Sequence, residues 1–337
     1  MMLDLALNPT AVAPKLHRGE LGYRTDDEVF DETVEMYLAA QDDSEYRPAI
    51  DMHKHRQMSP MLTAWVLIRP FTALIALGLI VNSGKTWLLP LAFLCGIWTF
   101  QRSFTNAHNL VHGSYPLPSA VKRPAREVLM TVYGLMFGYA SHLFKEAHFE
   151  HHRPANRCGV KGDPESICQL PMAVVVLFGP VLTARIFAYG FKNARSRFDR
   201  IMGSVELVGV LCVIALVVHS LVRYFHGVHL GAFERTFAFY GAEAMLLLWL
   251  FPLNAAWLPH QKCYGTMIGA ARNTPGGSYP GFMATVVSKM LVGGTRWHLL
   301  HHSYMGVPSC NLEGLARDRK VKAWMRLQSI FDDHHSH

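Results

Sequence analysis

Four stretches of the chain are apolar over close to the ~20 residues that a helix needs to cross a bilayer. They are residues 61–82 (MLTAWVLIRPFTALIALGLIVN), 86–105 (TWLLPLAFLCGIWTFQRSFT), 204–222 (SVELVGVLCVIALVVHSLV) and 238–258 (AFYGAEAMLLLWLFPLNAAWL). Two further apolar stretches, 127–144 and 171–190, are weaker: the second contains Pro180 and Arg185, which a span tolerates poorly. Both are expected to be amphipathic or interfacial helices. The pattern predicts an all-α integral membrane protein with about four transmembrane helices. Residues 1–60 are polar and acidic (RTDDEVFDETVE) and read as an N-terminal tail. Residues 61–320 read as one membrane domain and 321–337 as a polar C-terminal tail. No repeat of 20–50 residues and no Pro/Gly-rich linker divides the chain. The N-terminus lacks an apolar stretch behind a basic start, so no cleavable signal peptide is expected.

Composition agrees with this pattern. Half of the residues are hydrophobic and 17% are charged, with a mean hydropathy of +0.14, values that favour a membrane protein. The net charge of +7 is scattered between apolar segments rather than drawn into a stripe, which argues for basic loops at a membrane face and against nucleic acid. Lys85 alone lies between the first two spans. Lys192, Arg195, Arg197 and Arg200 precede the third, Arg223 and Arg235 lie between the third and fourth, and Lys262 and Arg272 follow. The positive-inside rule then places the N-terminus, the middle loop and the C-terminus in the cytoplasm. Trp87, Trp98 and Trp257 suit an interfacial belt. Six cysteines without a C-x-x-C pair suggest neither zinc nor an iron–sulfur cluster and read as free thiols in a reducing compartment.

Nineteen histidines are unusual in such a chain. Eight fall into three groups: His108 and His112 (H-x-x-x-H), then His148, His151 and His152 (H-x-x-H-H), then His298, His301 and His302 (H-x-x-H-H). Residues three and four apart share a helix face, so each group can present its imidazoles together. The expected topology puts all three groups on one side of the membrane. Imidazole suits zinc, copper and iron. A structural zinc site wants four ligands, usually with thiolate, and a carboxylate bundle wants matched Glu-x-x-His pairs, which Glu146 and Glu150 do not provide. A histidine-rich dinuclear iron site fits the count best.

The order H-x-x-x-H, H-x-x-H-H, H-x-x-H-H, interleaved with apolar pairs over residues 60–315, resembles the membrane fatty acid desaturase and hydroxylase superfamily. The resemblance implies a cytoplasmic, histidine-rich di-iron cap, two non-haem iron ions, O2 as co-substrate and an external electron donor, a ferredoxin or cytochrome b5 type protein with its reductase. It implies attack on a C–H bond of a lipid, with His108, His112, His148, His151, His152, His298, His301 and His302 as ligands and catalytic residues. It also implies a ninth ligand ahead of the last group, for which His260 (AWLPHQK) stands in the right place. The pattern departs at Asn109, where many desaturases have an acid, and this leaves the subclass open. HGS after the first group, DPE at 163–165 and LPH at 258–260 are also similar to carotenoid ketolases and hydroxylases. Asp163 is expected to cap a turn, with a hydrogen bond to a ligand histidine as the alternative. Asn254 is the weaker candidate for orienting a ligand, against a helix–helix hydrogen bond.

The remaining histidines have plainer readings. His53 and His55 lie in the tail, His219, His226 and His229 on the opposite face, and His334, His335 and His337 at the C-terminal end; His142 is expected to be packed or interfacial. The sequence therefore supports a lipid desaturase or hydroxylase, with a carotenoid ring oxygenase as the alternative. A membrane metal carrier is a remote third reading, because carriers place their ligands near the midplane. The basic middle loop could dock an acidic donor.

Overall fold

The computed structural model describes residues 31–33, 35–36, 47–118, 122–153, 163–165, 167, 170–260 and 297–334, with backbone alone at 254, 258 and 328–334. Every regular element among them is helical. A short helix, α1 (Met52–Arg56), is capped by the Asp51 carboxylate, which accepts from the amides of His53 and Lys54. The first long hairpin follows. Helix α2 (Pro60–Asn82) begins with proline at its first position, where no amide is needed, and Ser59 Oγ accepts from the Leu62 amide. It ends before Gly84, whose φ of 71° reverses the chain. A 3₁₀ turn at Thr86–Leu88 then opens α3 (Leu89–Val111).

The second hairpin is built alike. Helix α8 (Arg197–Phe225) is capped by Ser196 Oγ, which accepts from the Asp199 amide at 3.0 Å. Gly227 (φ 73°) turns the chain into α9 (Ala232–Trp249). The turns of the two hairpins lie together: Asn82 Nδ2 donates to Thr236 Oγ1 (2.9 Å) and to the Ala232 carbonyl (3.1 Å). All three histidine groups lie at the other end of the bundle.

The four apolar stretches fall on α2, α3, α8 and α9, although the expected span 238–258 leaves α9 after Trp249 for π and 3₁₀ turns; two of the helices meet the length and hydropathy expected of a span, Pro60–Asn82 and Arg197–Phe225. Helix α3 runs six residues past the expected end, and its second half, from Gln101 to Asn109, is polar and mostly buried. Helix α9 carries Glu234, Arg235 and Glu243. Only 17% and 22% of the two apolar windows is buried. Ile75, Leu79, Val208 and Leu216 point outward, an apolar surface that lipid would cover.

The 127–144 stretch is not one helix. It splits at Gly138 (φ 79°) into α4 (Lys122–Phe137) and α5 (Ser141–His151). The 171–190 stretch likewise splits at Phe178 into α6 (Met172–Leu177) and α7 (Gly179–Asn193). Helix α5 is seated between α7 and α8 by small residues. A Cβ on Gly190 would lie 2.0 Å from the Leu143 carbonyl oxygen, and one on Gly203 would lie 2.4 Å from the Leu143 side chain.

A second core gathers the C-terminal helices α10 (His298–Ser303), α11 (Leu312–Leu315) and α12 (Arg319–His334) around Leu299, Leu300, Leu312, Leu315, Trp324 and Leu327. Residues 48–57 strap across it. Tyr304 Oη donates to the Pro48 carbonyl (2.8 Å), and Asn311 Nδ2 donates to the carbonyls of His55 (2.9 Å) and Gln57 (3.0 Å).

Candidate metal centre

Each histidine group is placed by a helix that is apolar on its other side. In α10, His298, His301 and His302 face inward while Leu299 and Leu300 fill the C-terminal core. In α5, Phe144 and Ala147 pack into the bundle while His148 and His151 face the site, and His152 caps the helix. His108 lies in the last turn of α3 and His112 caps it. His260 ends the π and 3₁₀ turns that follow α9, Leu253–Trp257 and Leu258–His260.

These nine side chains form two cages. In the first, His148 Nε2 lies 2.9 Å from His108 Nε2, 3.1 Å from His112 Nε2 and 3.0 Å from His152 Nε2, and His301 Nε2 lies 3.1 Å from His152 Nε2. In the second, His260 Nε2 lies 3.1 Å from His151 Nε2 and 2.9 Å from His298 Nε2, and His302 Nε2 lies 3.1 Å from His298 Nε2. The donor atoms within each cage all lie within 4.8 Å of one another. The cages share a wall, where the rings of His152 and His302 are 4.2 Å apart.

Hydrogen bonding does not account for this geometry. A neutral imidazole offers one in-plane lone pair or one N–H at each nitrogen. His148 Nε2 nevertheless faces three other ring nitrogens at 2.9–3.1 Å. A cation at the centre of each cage satisfies all of them.

Burial, reinforced by neighbouring imidazoles, keeps the rings neutral and their lone pairs free. It pushes His108 down to about 3 and His112, His148, His152, His298, His301 and His302 well below the ordinary histidine range. Two carboxylates set ring orientation from behind. Glu165 Oε1 lies 3.0 Å from His148 Nδ1, and Asp163 Oδ2 lies 2.9 Å from His151 Nδ1. Each carboxylate accepts the Nδ1 proton and turns Nε2 inward. Burial pushes Glu165 up to about 7.

Asp163 serves both readings of the sequence: its Oδ1 accepts from the Glu165 amide at 2.8 Å, which caps the turn, while Oδ2 holds His151. Nothing in the sequence marks Glu165 except its place in DPE, two residues after Asp163. Asn109 lies outside the cages and ties the first group to the segment after the third, accepting from the amide and hydroxyl of Ser309 and donating to Tyr115 Oη. His142 is packed as expected, but between two carboxylates: Nδ1 is 2.7 Å from Glu206 and Nε2 is 2.8 Å from Glu127. Asn254's side chain lies outside the described residues. Glu146 and Glu150 pair with Arg195 and Arg153 and take no part in the cages. Among the described residues, Cys95, Cys212 and Cys310 are free thiols.

A narrow, mostly apolar cleft opens onto the cages. Phe104, Phe144, Ile186 and Phe251 line it together with His108, His148, His298 and His301.

The family model for fatty acid desaturases matches residues 84–324, and the chain belongs to the fatty acid desaturase family. Its members are membrane-associated, typically iron-dependent oxidoreductases. No curated protein and no solved structure matches the chain.

Proposed function

We propose that this chain is an O2-dependent, non-haem di-iron oxidoreductase that desaturates or hydroxylates a C–H bond of a fatty acyl lipid. The observation that carries the reading is the meeting of an apolar cleft with both histidine cages. His108, His148 and His301 reach the cleft from the first cage and His298 from the second, so a chain lying in the cleft is presented to both.

The donor set fits iron. Nine imidazoles, with no thiolate among them, suit a borderline divalent ion. One iron would be held by His108, His112, His148, His152 and His301 and the other by His151, His260, His298 and His302. Iron bound there supplies the oxidising power to break an unactivated C–H bond with O2. The protein's own contribution is positional. Glu165 and Asp163 fix the tautomers of His148 and His151. Phe104, Phe144 and Phe251 hold a hydrocarbon and exclude water. Electrons would arrive from a ferredoxin or cytochrome b5 type donor with its reductase, and the exposed Lys192, Arg197 and Arg200 form a basic landing surface at the cage end.

In the bilayer, the two long hairpins would span with their turns on one side and the cages and both termini on the cytoplasmic side. The location of the Asn82–Thr236 contact at the far end from the cages supports this.

Purified protein should hold about two irons per chain. Mass spectrometry of lipids from a lipid-defined host should show an acyl product with a new double bond or hydroxyl group, lost in His151→Ala and His301→Ala. Full activity in metal-free protein would overturn the proposal. Feeding β-carotene to the same host separates the alternative, since a carotenoid ring oxygenase would shift the pigment absorption.

A further inference from the structure

Arg69 on α2 and Arg102 on α3 lie level with each other. Two contacts that join the helices bracket them: Asn106 Nδ2 donates to the Val66 carbonyl (3.0 Å), and Thr99 Oγ1 donates to the Pro70 carbonyl (3.5 Å). Both side chains are half-buried, and the Nε of each is buried without a hydrogen-bond partner among the described residues. The Arg102 guanidinium is steadied by the Trp98 ring, 4.0 Å from its centroid. The two charges are close enough to act on each other, and both act on the Cys310 thiol. No aspartate or glutamate among the described residues pairs with either.

Two like charges with no counter-ion repel, and the more so where water is thin. Packing alone would be served by leucine or methionine. Cations within apolar helices mark a partner, and the partner missing here is an anion. The surroundings say what carries it. Leu62, Trp65 and Ile68, on the turns of α2 before and beside Arg69, are 39%, 55% and 54% exposed, so the approach is apolar. An anion that arrives there is attached to hydrocarbon. Arg102 lies six residues before His108, about 9 Å along the helix, on the cage side of the bundle. Arginine reaches headgroup level from such a depth by extending its stem. A guanidinium matches phosphate with paired N–H donors, and basic pockets between helices on the cytoplasmic side suit phospholipid headgroups. Neither arginine lines the cleft or belongs to a cage.

We propose that Arg69 and Arg102 together hold the phosphate of one phospholipid molecule, in a site between α2, α3 and the segment at Cys310. The site is distinct from the cages, although Ser309, the neighbour of Cys310, lines the cleft. This rests on the membrane placement of α2 and α3 given above and not on the metal chemistry.

The test uses the metal-loaded chain, delipidated in a non-ionic detergent, and counts bound lipid by native mass spectrometry. Phosphatidylglycerol and the diacylglycerol with the same chains are titrated separately into wild type, Arg69→Gln, Arg102→Gln and Lys322→Gln, the last an exposed cation on α12. Phosphatidylglycerol should bind the wild type about ten- to a hundredfold more tightly than either arginine variant, the effect of one hydrogen-bonded charge. Lys322→Gln should match the wild type, and diacylglycerol should not distinguish the four chains. Millimolar inorganic phosphate should leave the bound phosphatidylglycerol in place. Without lipid, Arg69→Gln should melt at or above the wild-type temperature, since a repulsion is relieved and no native partner is lost. Equal phosphatidylglycerol binding by all four chains would overturn the proposal, as would an equal loss in Lys322→Gln. Displacement by inorganic phosphate would mean a site for the free anion, and a clear fall in melting temperature would mean that Arg69 is already paired; either overturns it too. Carbonate extraction of the expressing membranes tests the membrane placement, and metal content tests the di-iron reading, so failure of either is seen apart from the lipid titration.

Discussion

His151 meets Asp163 at 2.9 Å through Nδ1, and this contact points its Nε2 at His260, 3.1 Å away. A carboxylate behind an imidazole raises its basicity and fixes its tautomer, and losing such a partner typically costs 10–100-fold in metal affinity. Asp163→Asn should weaken the second cage by roughly that factor. Glu165→Gln should do the same to the first cage through His148. Metal content after titration with a chelator reads both: each variant should lose one metal before the other. Wild-type retention of both metals in Asp163→Asn would contradict the assignment.

His260 stands outside the three sequence groups, yet it joins His151 to His298. His260→Ala leaves the second cage three donors and the first cage intact. The expected result is about one tightly held metal per chain instead of about two, counted against protein after dialysis. His148→Ala should weaken the first cage instead, leaving it the four donors His108, His112, His152 and His301.

Gly190 lets α7 lie against the α5 backbone. In Gly190→Ala the new methyl would meet the Leu143 carbonyl at 2.0 Å, which forces the helices apart. Overpacking of this kind costs about 1–3 kcal/mol. Thermal unfolding should show the loss, and metal affinity should fall with it because α5 carries His148 and His151. Gly314→Ala is the control: its Cβ would meet nothing within 4 Å, so the melting temperature should hold or rise slightly.

Asn109 stands where many desaturases have an acid, and its neighbours explain the amide. Tyr115 Oη already donates to Asn106 at 2.7 Å, so its oxygen needs a donor, and Asn109 Nδ2 supplies one at 2.9 Å. In Asn109→Asp two acceptors would face each other in a buried site. A loss of about 1–3 kcal/mol in stability is expected, with metal stoichiometry unchanged. An Asp variant as stable as the wild type would show that the tyrosine re-orients freely.

His142, fully buried between Glu206 and Glu127, gives a pH signature. Burial alone would lower its pKa, but hydrogen bonds to the two carboxylates raise it to about 9. Burial would raise the pKa of Glu127, but hydrogen bonds from His142 and Arg126 bring it down to about 2. The histidine contribution is complete below its unfolded pKa of about 6.5 and fades as pH rises through about 9. The Glu127 contribution is complete above its unfolded pKa of about 4.3 and fades as pH falls through about 2. The melting-temperature difference between wild type and His142→Gln should therefore be largest between these unfolded values and shrink on both sides. A difference that does not change with pH would mean that the ring is neutral and merely packed.

The sequence by itself determined the helical class, the long apolar segments and the eight boxed histidines. These are local properties. Apolar run length sets what can span, and three- and four-residue spacing sets which imidazoles share a face. His260 was legible only through the family pattern, because a lone histidine has no spacing to mark it. The tertiary structure alone decided how the nine imidazoles divide: His148 and His152 join His108, His112 and His301, while their chain neighbour His151 turns to His260, His298 and His302. That division depends on how three helices from distant parts of the chain cross, and on Asp163 and Glu165 approaching from behind. The same holds for the break at Gly138, which turned one expected interfacial helix into two and placed Tyr139 in the cleft wall. Contacts between residues as far apart in sequence as His152 and His301 leave no local trace, since packing, not propensity, selects them.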